Sequence, residues 1–244
     1  MPLTLPRVEL RKQVDTRAGR GLLIAIGVLT ALALGLFMWV ARNDGAPLSA
    51  ALAVTTTPPQ GLLLPVLGII TACNEWSQRT ALIPFTQEPR RLRVVLAKLL
   101  SAAALGTIAV ALAWVMALGA FLILAALTGQ SLNPDPDWGQ LAGGWLTQLI
   151  AVLQGAAFGL ALLSVPLAIV AFFVLPVLFT TTALLMPAFG DLGAWVDVNA
   201  ALTPFAEGLD LTGTQWAQVG SSGLLWIGIP LVIGIWRVLT REVK

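Results

Sequence analysis

Five stretches of this chain carry no Asp, Glu, Lys or Arg, and each is long enough to cross a lipid bilayer: Gly21 to Ala41, Gly45 to Asn74, Leu99 to Pro134, Trp138 to Gly190, and Leu211 to Trp236. A helix needs about 20 apolar residues to traverse a hydrocarbon core of about 30 Å. The fourth stretch, 53 residues from 138 to 190, has room for two crossings and a turn. The expected fold is an all-α integral membrane protein with six transmembrane helices. A soluble fold would have to bury every one of these stretches at once. Only 11% of the residues are charged, against about 25% in soluble domains.

Lys and Arg set the orientation, because positively charged loops stay in the cytoplasm. With six spans, Arg7, Arg11, Lys12, Arg17 and Arg20 precede the first. Arg79, Arg90, Arg91, Arg93 and Lys98 follow the second, and Arg237, Arg241 and Lys244 follow the sixth. These 13 residues share a face with 5 acidic ones, whereas the other face sets Arg42 alone against 7 acidic residues, Asp44, Asp135, Asp137, Asp191, Asp197, Glu207 and Asp210. Both termini are therefore expected in the cytoplasm. The formal net charge of +2 averages two opposite faces and implies no nucleic-acid partner. The basic groups belong among anionic lipid headgroups.

No catalytic constellation is visible, and the chain is not expected to be an enzyme. It has no His, so His general-base chemistry and His-containing metal sites are unavailable. Cys73 is the single cysteine, which excludes an intrachain disulfide. No GxxxxGK[ST] phosphate loop occurs, so ATP hydrolysis is not expected of this chain. No cofactor is expected either. The proposed spans lack ionisable residues in their central portions, which weakens an ion-coupled carrier, although sodium sites built from carbonyls stay open. The first apolar stretch exceeds a signal-peptide core and is expected to remain as an anchor. Abundant Ala, with Arg outnumbering Lys 11 to 3, fits a GC-rich bacterium and hence its cytoplasmic membrane.

Residues 1–20 are polar and mixed in charge. Leu3, Leu10 and Val14 share one helical face. Glu9 and Lys12 lie three apart, and Arg11 and Asp15 four apart, so both pairs can meet on a helix. An amphipathic helix on the cytoplasmic membrane surface fits, with a frayed tail as the plainer alternative. Spans are expected at 21–41, 58–76, 94–128, 145–163, 166–186 and 221–238. Pro58 and Pro59 can open the second, and Pro65 should kink it. Asn133 to Asp137 reads as an outer loop, and Ser164-Val165-Pro166 as an inner turn without positive charge. Residues 187–220 mix apolar and acidic side chains, so short helices capping the bundle or dipping into the outer leaflet are expected.

The connection at 77–93 holds more than an anchor needs. A polar helix end from Glu75 to Thr80, with Arg79 inside it, precedes the apolar run Ala81-Leu82-Ile83-Pro84-Phe85, and a dense Arg cluster follows at Arg90, Arg91 and Arg93. Ile83 and Phe85 on the cytoplasmic side read as a docking element for a partner's groove. An amphipathic surface anchor is the alternative.

At these residues the chain resembles the membrane-spanning permease subunits of type-2 ABC exporters. The likeness rests on Glu75 followed by Thr80, on Pro89, Arg90, Arg91, Arg93 and Lys98 at the entry to the third span, on Glu9 and Lys12 in the basic amino-terminal helix, and on the six-span plan. The uncharged turn near Pro166 departs from the pattern. The resemblance implies a multidrug-type exporter of lipophilic or drug-like substrates. Two permease chains would pair, as a homo- or heterodimer, each on a separate cytoplasmic ATPase subunit that holds ATP and Mg. Residues Gln78 to Gln87 would be the coupling helix, with Glu75, Arg79, Thr80, Ile83 and Phe85 as the coupling residues. Residues 187–220 would supply the short re-entrant helices of that family.

Four residues are candidates for a substrate path. Thr107 and Trp114 share a face of the third span, and Gln154 and Phe158 lie four apart on the fourth. Helix–helix contact is the favoured account of Gln154, and packing or lipid contact that of Trp114. Gly155 and Gly159 carry the spacing of close helix packing. An ion-coupled carrier or small channel without an ATPase is the alternative function.

Overall fold

The structure, a computed structural model, describes residues 4–42, 47–55, 59–78, 80, 86, 88, 90–129, 137–185, 193 and 195–241. Among these residues there is no strand. The helices in chain order are α1 (Thr4–Asp15), α2 (Arg17–Ala41), α3 (Leu48–Thr55), α4 (Gly61–Ser77), α5 (Arg91–Thr128), α6 (Trp138–Leu162), α7 (Val165–Leu185), α8 (Val198–Ala206) and α9 (Gly213–Gly223). A π-helical turn (Leu224–Gly228) then leads into α10 (Ile229–Thr240). Five helical stretches among the described residues are long and apolar enough to cross a membrane: Arg17–Ala41, Arg91–Thr128, Trp138–Leu162, Val165–Thr182 and Gly213–Thr240. The helix α4 is equally apolar but has only 17 residues.

Side-chain caps set the helix starts. Thr16 separates α1 from α2, and its Oγ1 accepts from the Gly19 N–H at 3.1 Å. Asp137 accepts from the Gln140 N–H at 3.0 Å, so α6 begins at Trp138 instead of near the expected Trp145. Thr212 and Gln215 form a reciprocal capping box, which starts the last long helix at Gly213 instead of Ser221. The π turn within that helix has a cause in Pro230. In a regular α-turn the proline ring crowds the carbonyl four residues back. The widened turn, with the Ile229 N–H bonded to the Leu224 carbonyl, accommodates it.

Helices α4 and α6 form the most extensive pair and sit at the centre. Along their contact Leu64, Leu67, Ile69, Ala72 and Cys73 are fully buried. Backbone meets backbone there. A Cβ on Gly155 would overlap the Pro65 carbonyl oxygen, one on Gly68 the Val152 carbonyl oxygen, and one on Gly159 would sit 2.9 Å from the Ile69 oxygen. Around the pair pack α2, α5, α7 and α10. Their outer faces are apolar and bare: Ile24, Leu32 and Leu36 on α2, Leu112 and Val115 on α5, Val170 and Val177 on α7, Val232 on α10. Water would penalise such a surface, whereas hydrocarbon does not.

The bundle has two chemically different ends. At the basic end meet α1, the start of α2, the foot of α4, the start of α5 and the termini of α6 and α10. At the acidic end, α3, α8 and the α8–α9 loop close over α5 and α6. The turn between α6 and α7 falls at Leu163 and Ser164. It carries no charge because protein holds it. Leu163 is buried with φ 51, and the Val165 N–H donates to Ser77 Oγ at 3.3 Å.

The helix α1 shows apolar side chains outward, as the expected surface helix would toward lipid, and adds a polar contact to the bundle. Its buried side chains are Glu9 and Gln13, while Val8 and Val14 are exposed. Its polar face turns inward, against α5 and α2. Asp15 pairs with Arg20 at 3.3 Å instead of with Arg11.

Candidate functional site

The inward polar face of α1 meets two more charges. Glu75 ends α4, and Lys98 lies two turns into α5. Lys98 Nζ sits 3.1 Å from Glu9 Oε2 and 3.0 Å from Glu75 Oε2. Lys12 Nζ sits 2.7 Å from Glu9 Oε1 and 3.1 Å from Glu75 Oε1. The four groups therefore close an alternating ring of two carboxylates and two ammoniums. Lys98 also donates to the Thr71 carbonyl at 3.3 Å, and Gln13 Nε2 donates to Ser101 Oγ at 2.7 Å. A cavity of about 250 Å³ adjoins the ring, between Thr16, Thr71, Asn74 and Thr80.

The inner half of the ring is deeply buried and its Lys12 edge is open, with side-chain exposures of 6% for Glu9 and Lys98 against 41% for Lys12. Charges removed from water are tolerable only when each is fully paired, and here every oxygen and both ammoniums have partners. Burial pushes the Glu9 carboxyl up, but Lys98 and Lys12 outweigh it and hold it below its ordinary 4.5. Burial pushes the Lys12 ammonium down, but Glu9 and Glu75 outweigh it and hold it above its ordinary 10.5. The Glu9 contribution is thus present above 4.5 and is lost as pH falls through its lower folded value. The Lys12 contribution is complete below 10.5 and is lost as pH climbs through its higher folded value. We expect protection of the α1 amides from hydrogen exchange, after correction for the intrinsic rate, to be flat between these limits and to fall on both sides. A maximum confined to one side would contradict the ring.

The neighbouring ends are clamped as well. Arg91 Nη1 donates to the Val238, Leu239 and Arg241 carbonyls at 2.8, 3.3 and 3.0 Å, capping the end of α10. Arg237 donates to the Ala161 carbonyl at the end of α6. The Arg241 guanidinium lies 5.7 Å from the Trp76 ring centroid. The feet of α4, α5, α6 and α10 are thereby joined by basic side chains.

Of the expected coupling residues, Glu75 is in the ring. The Thr80 N–H donates to the Glu75 carbonyl at 2.8 Å, which closes the end of α4 at the ring. Arg79, Ile83 and Phe85 lie outside the described residues, as does most of the segment that follows. Beyond it, Glu88 accepts from the Arg90 N–H at 3.1 Å and pairs with Arg93 at 3.7 Å, at the start of α5. The residues of the ring were all visible in the sequence, but not their convergence. The usable signal was two opposite charges, Glu75 and Lys98, at facing ends of consecutive apolar helices, beside the Glu9 and Lys12 pair.

The expected substrate-path residues separate. Thr107 Oγ1 accepts from Trp145 Nε1 at 3.1 Å, so it joins α5 to α6. Trp114 lines a cavity of about 110 Å³ together with Leu52, Leu141, Thr147 and Ala206. Its Nε1 and Thr147 Oγ1 are buried without a hydrogen-bond partner among the described residues. A cavity of that size has room for water. Gln154 and Phe158 are 4% and 5% exposed. Phe158 stacks on Trp226 at 6.3 Å and meets the edge of Phe172 at 6.1 Å. Neither residue lines this cavity, the one beside the ring or the larger cleft across α6, about 610 Å³, which Trp145 does line. No protein-family model matches the chain, and no curated protein matches it.

Proposed function

We propose that this chain is the membrane-spanning permease subunit of an ATP-driven exporter, and that a separate cytoplasmic subunit hydrolyses the ATP. The observation that carries this reading is the closed charge ring. It ties α1, α4 and α5 together immediately before the 78–90 segment. A push on that segment reaches Glu75 within one turn, and the ring and Arg clamps pass it to the bundle as a unit. In this reading α4 crosses as the second of six spans, the basic end and both termini face the cytoplasm by the positive-inside rule, and the membrane is the bacterial cytoplasmic one. The bare apolar flanks leave room for a second permease chain as well as lipid. The cargo is lipophilic or drug-like, as the resemblance to type-2 ABC exporter permeases implies.

Co-purification with a cytoplasmic ATPase, sought among the products of neighbouring reading frames, tests the proposal. Phe85→Asp and Arg79→Asp are expected to lose the ATPase. Glu75→Gln is expected to retain it but to lower substrate-stimulated hydrolysis by about tenfold, a modest coupling free energy. Binding and transport that survive the first two substitutions, or transport by the chain alone on an ion gradient, would falsify the reading.

A further inference from the structure

We propose that the cleft of about 610 Å³ at the acidic end binds a lipophilic organic cation. It opens between α6, the α8–α9 loop and α9, and is lined by Trp145, Phe205, Trp216 and Asp210. Its volume lies within the range of small-molecule sites, about 300–1,000 Å³. Phe205 and Trp216 stand edge to face, 5.1 Å between centroids and 83° between planes, and so form two walls of a corner. Aromatic faces attract cations, and the Asp210 carboxylate adds a full negative charge. Among the described residues, no basic side chain lines the cleft.

The backbone around the cleft is specified by the sequence. Gly208, at φ 70, takes a left-handed conformation that lets the loop double back onto α6. There Gly139 faces the Gly208 carbonyl, where a Cβ would stand 2.9 Å away, and Gly143 lies directly under the Phe205 carbonyl. Three side chains pin the segment that leads into α8. Thr180 Oγ1 donates to Asp197 Oδ2 at 2.8 Å, Ser221 Oγ to the Trp195 carbonyl at 2.6 Å and Trp226 Nε1 to the Val196 carbonyl at 2.7 Å. Trp39 and Trp138 are singly exposed, as membrane-interface tryptophans are. Trp145, Phe205 and Trp216 instead converge on one volume beside one carboxylate, which is the arrangement a cation needs. A quaternary ammonium reaches such a site either as a free ion or on a choline lipid. The lipid brings a phosphate toward Asp210, so the free ion is the favoured occupant.

The test uses the purified full chain in a neutral maltoside detergent, with equilibrium dialysis of tetraphenylphosphonium and of tetraphenylborate, which has the same shape and the opposite charge. Saturable binding of the cation, with no binding of the anion above empty micelles, is expected. Asp210→Asn and Trp216→Ala should each weaken the cation by about tenfold, and Trp216→Phe by less than about threefold. Both positions are exposed, so the variants should keep the wild-type melting temperature. Asp210→Lys should abolish cation binding and create saturable anion binding. Unsaturable uptake of both ions, or equal cation affinity in wild type, Asp210→Asn and Trp216→Ala, overturns the proposal. Displacement of the cation by added phosphatidylcholine overturns it in favour of a lipid headgroup site. The measurement needs no ATPase, so it stands or falls separately from the export reading.

Discussion

Lys98→Met will destabilise the basic end by about 3–5 kcal/mol, the cost of breaking a buried ion pair from one side. Met nearly matches the lysine stem in length, so packing along α5 is kept and the change isolates the charge. Without Lys98, Glu9 and Glu75 keep only the half-exposed Lys12 between them, and the two carboxylates face each other with one cation too few. The helix α1 then has no reason to present its polar face inward, and its amides lose protection from exchange ahead of the rest of the chain. The double variant Glu9→Gln/Lys98→Met removes one charge of each sign and leaves the Lys12–Glu75 pair. It should be more stable than Lys98→Met alone by about 1–3 kcal/mol, the size of coupling between residues in one network. A double variant whose loss equals the sum of the two single losses would dissolve the ring into independent surface pairs.

The helical architecture was readable because lipid-length apolar runs without charge have few other folds open to them. All five stretches identified in the sequence contain helices in the structure. Helix starts were missed where hydropathy was followed instead of local hydrogen bonding. Asp137 with Gln140, and Thr212 with Gln215, are cap signatures written in the sequence, and each lengthens its helix beyond the expected span. What the polar face of α1 meets was not legible in its own residues. Its Leu and Val stripe is too narrow to decide, and the energy lies in Glu9 meeting Lys98, 89 positions away. Phe158 shows the same limit from the other side. On α6 alone it is an aromatic facing somewhere, and Ile69, Phe172 and Trp226, brought by three other elements, make it core. The Gly155 and Gly159 spacing, in contrast, was legible for what it does, because a missing side chain has one structural consequence in a bundle.

That spacing carries the second large effect. Gly155→Leu will prevent α4 from seating on α6, and the chain will be recovered aggregated or unfolded in detergent. Even Gly155→Ala is expected to cost about 1–3 kcal/mol, because its Cβ meets a backbone carbonyl that cannot rotate away. Gly68→Ala, on the facing helix, strikes the Val152 carbonyl and should cost a similar amount. Gly27→Ala and Gly35→Ala on α2 provide the contrast, since a Cβ there meets nothing within 4 Å. These should be neutral or should stabilise by about 0.5–1 kcal/mol, the helix preference of alanine over glycine. Melting temperatures of the four alanine variants in one detergent settle the matter. Equal losses at all four positions would show that the glycines act through chain flexibility and not through contact. A loss confined to positions 68 and 155 would establish the α4–α6 pair as the rigid axis of the bundle. Glu75 sits at the foot of that axis, so a force applied at the ring moves both helices together.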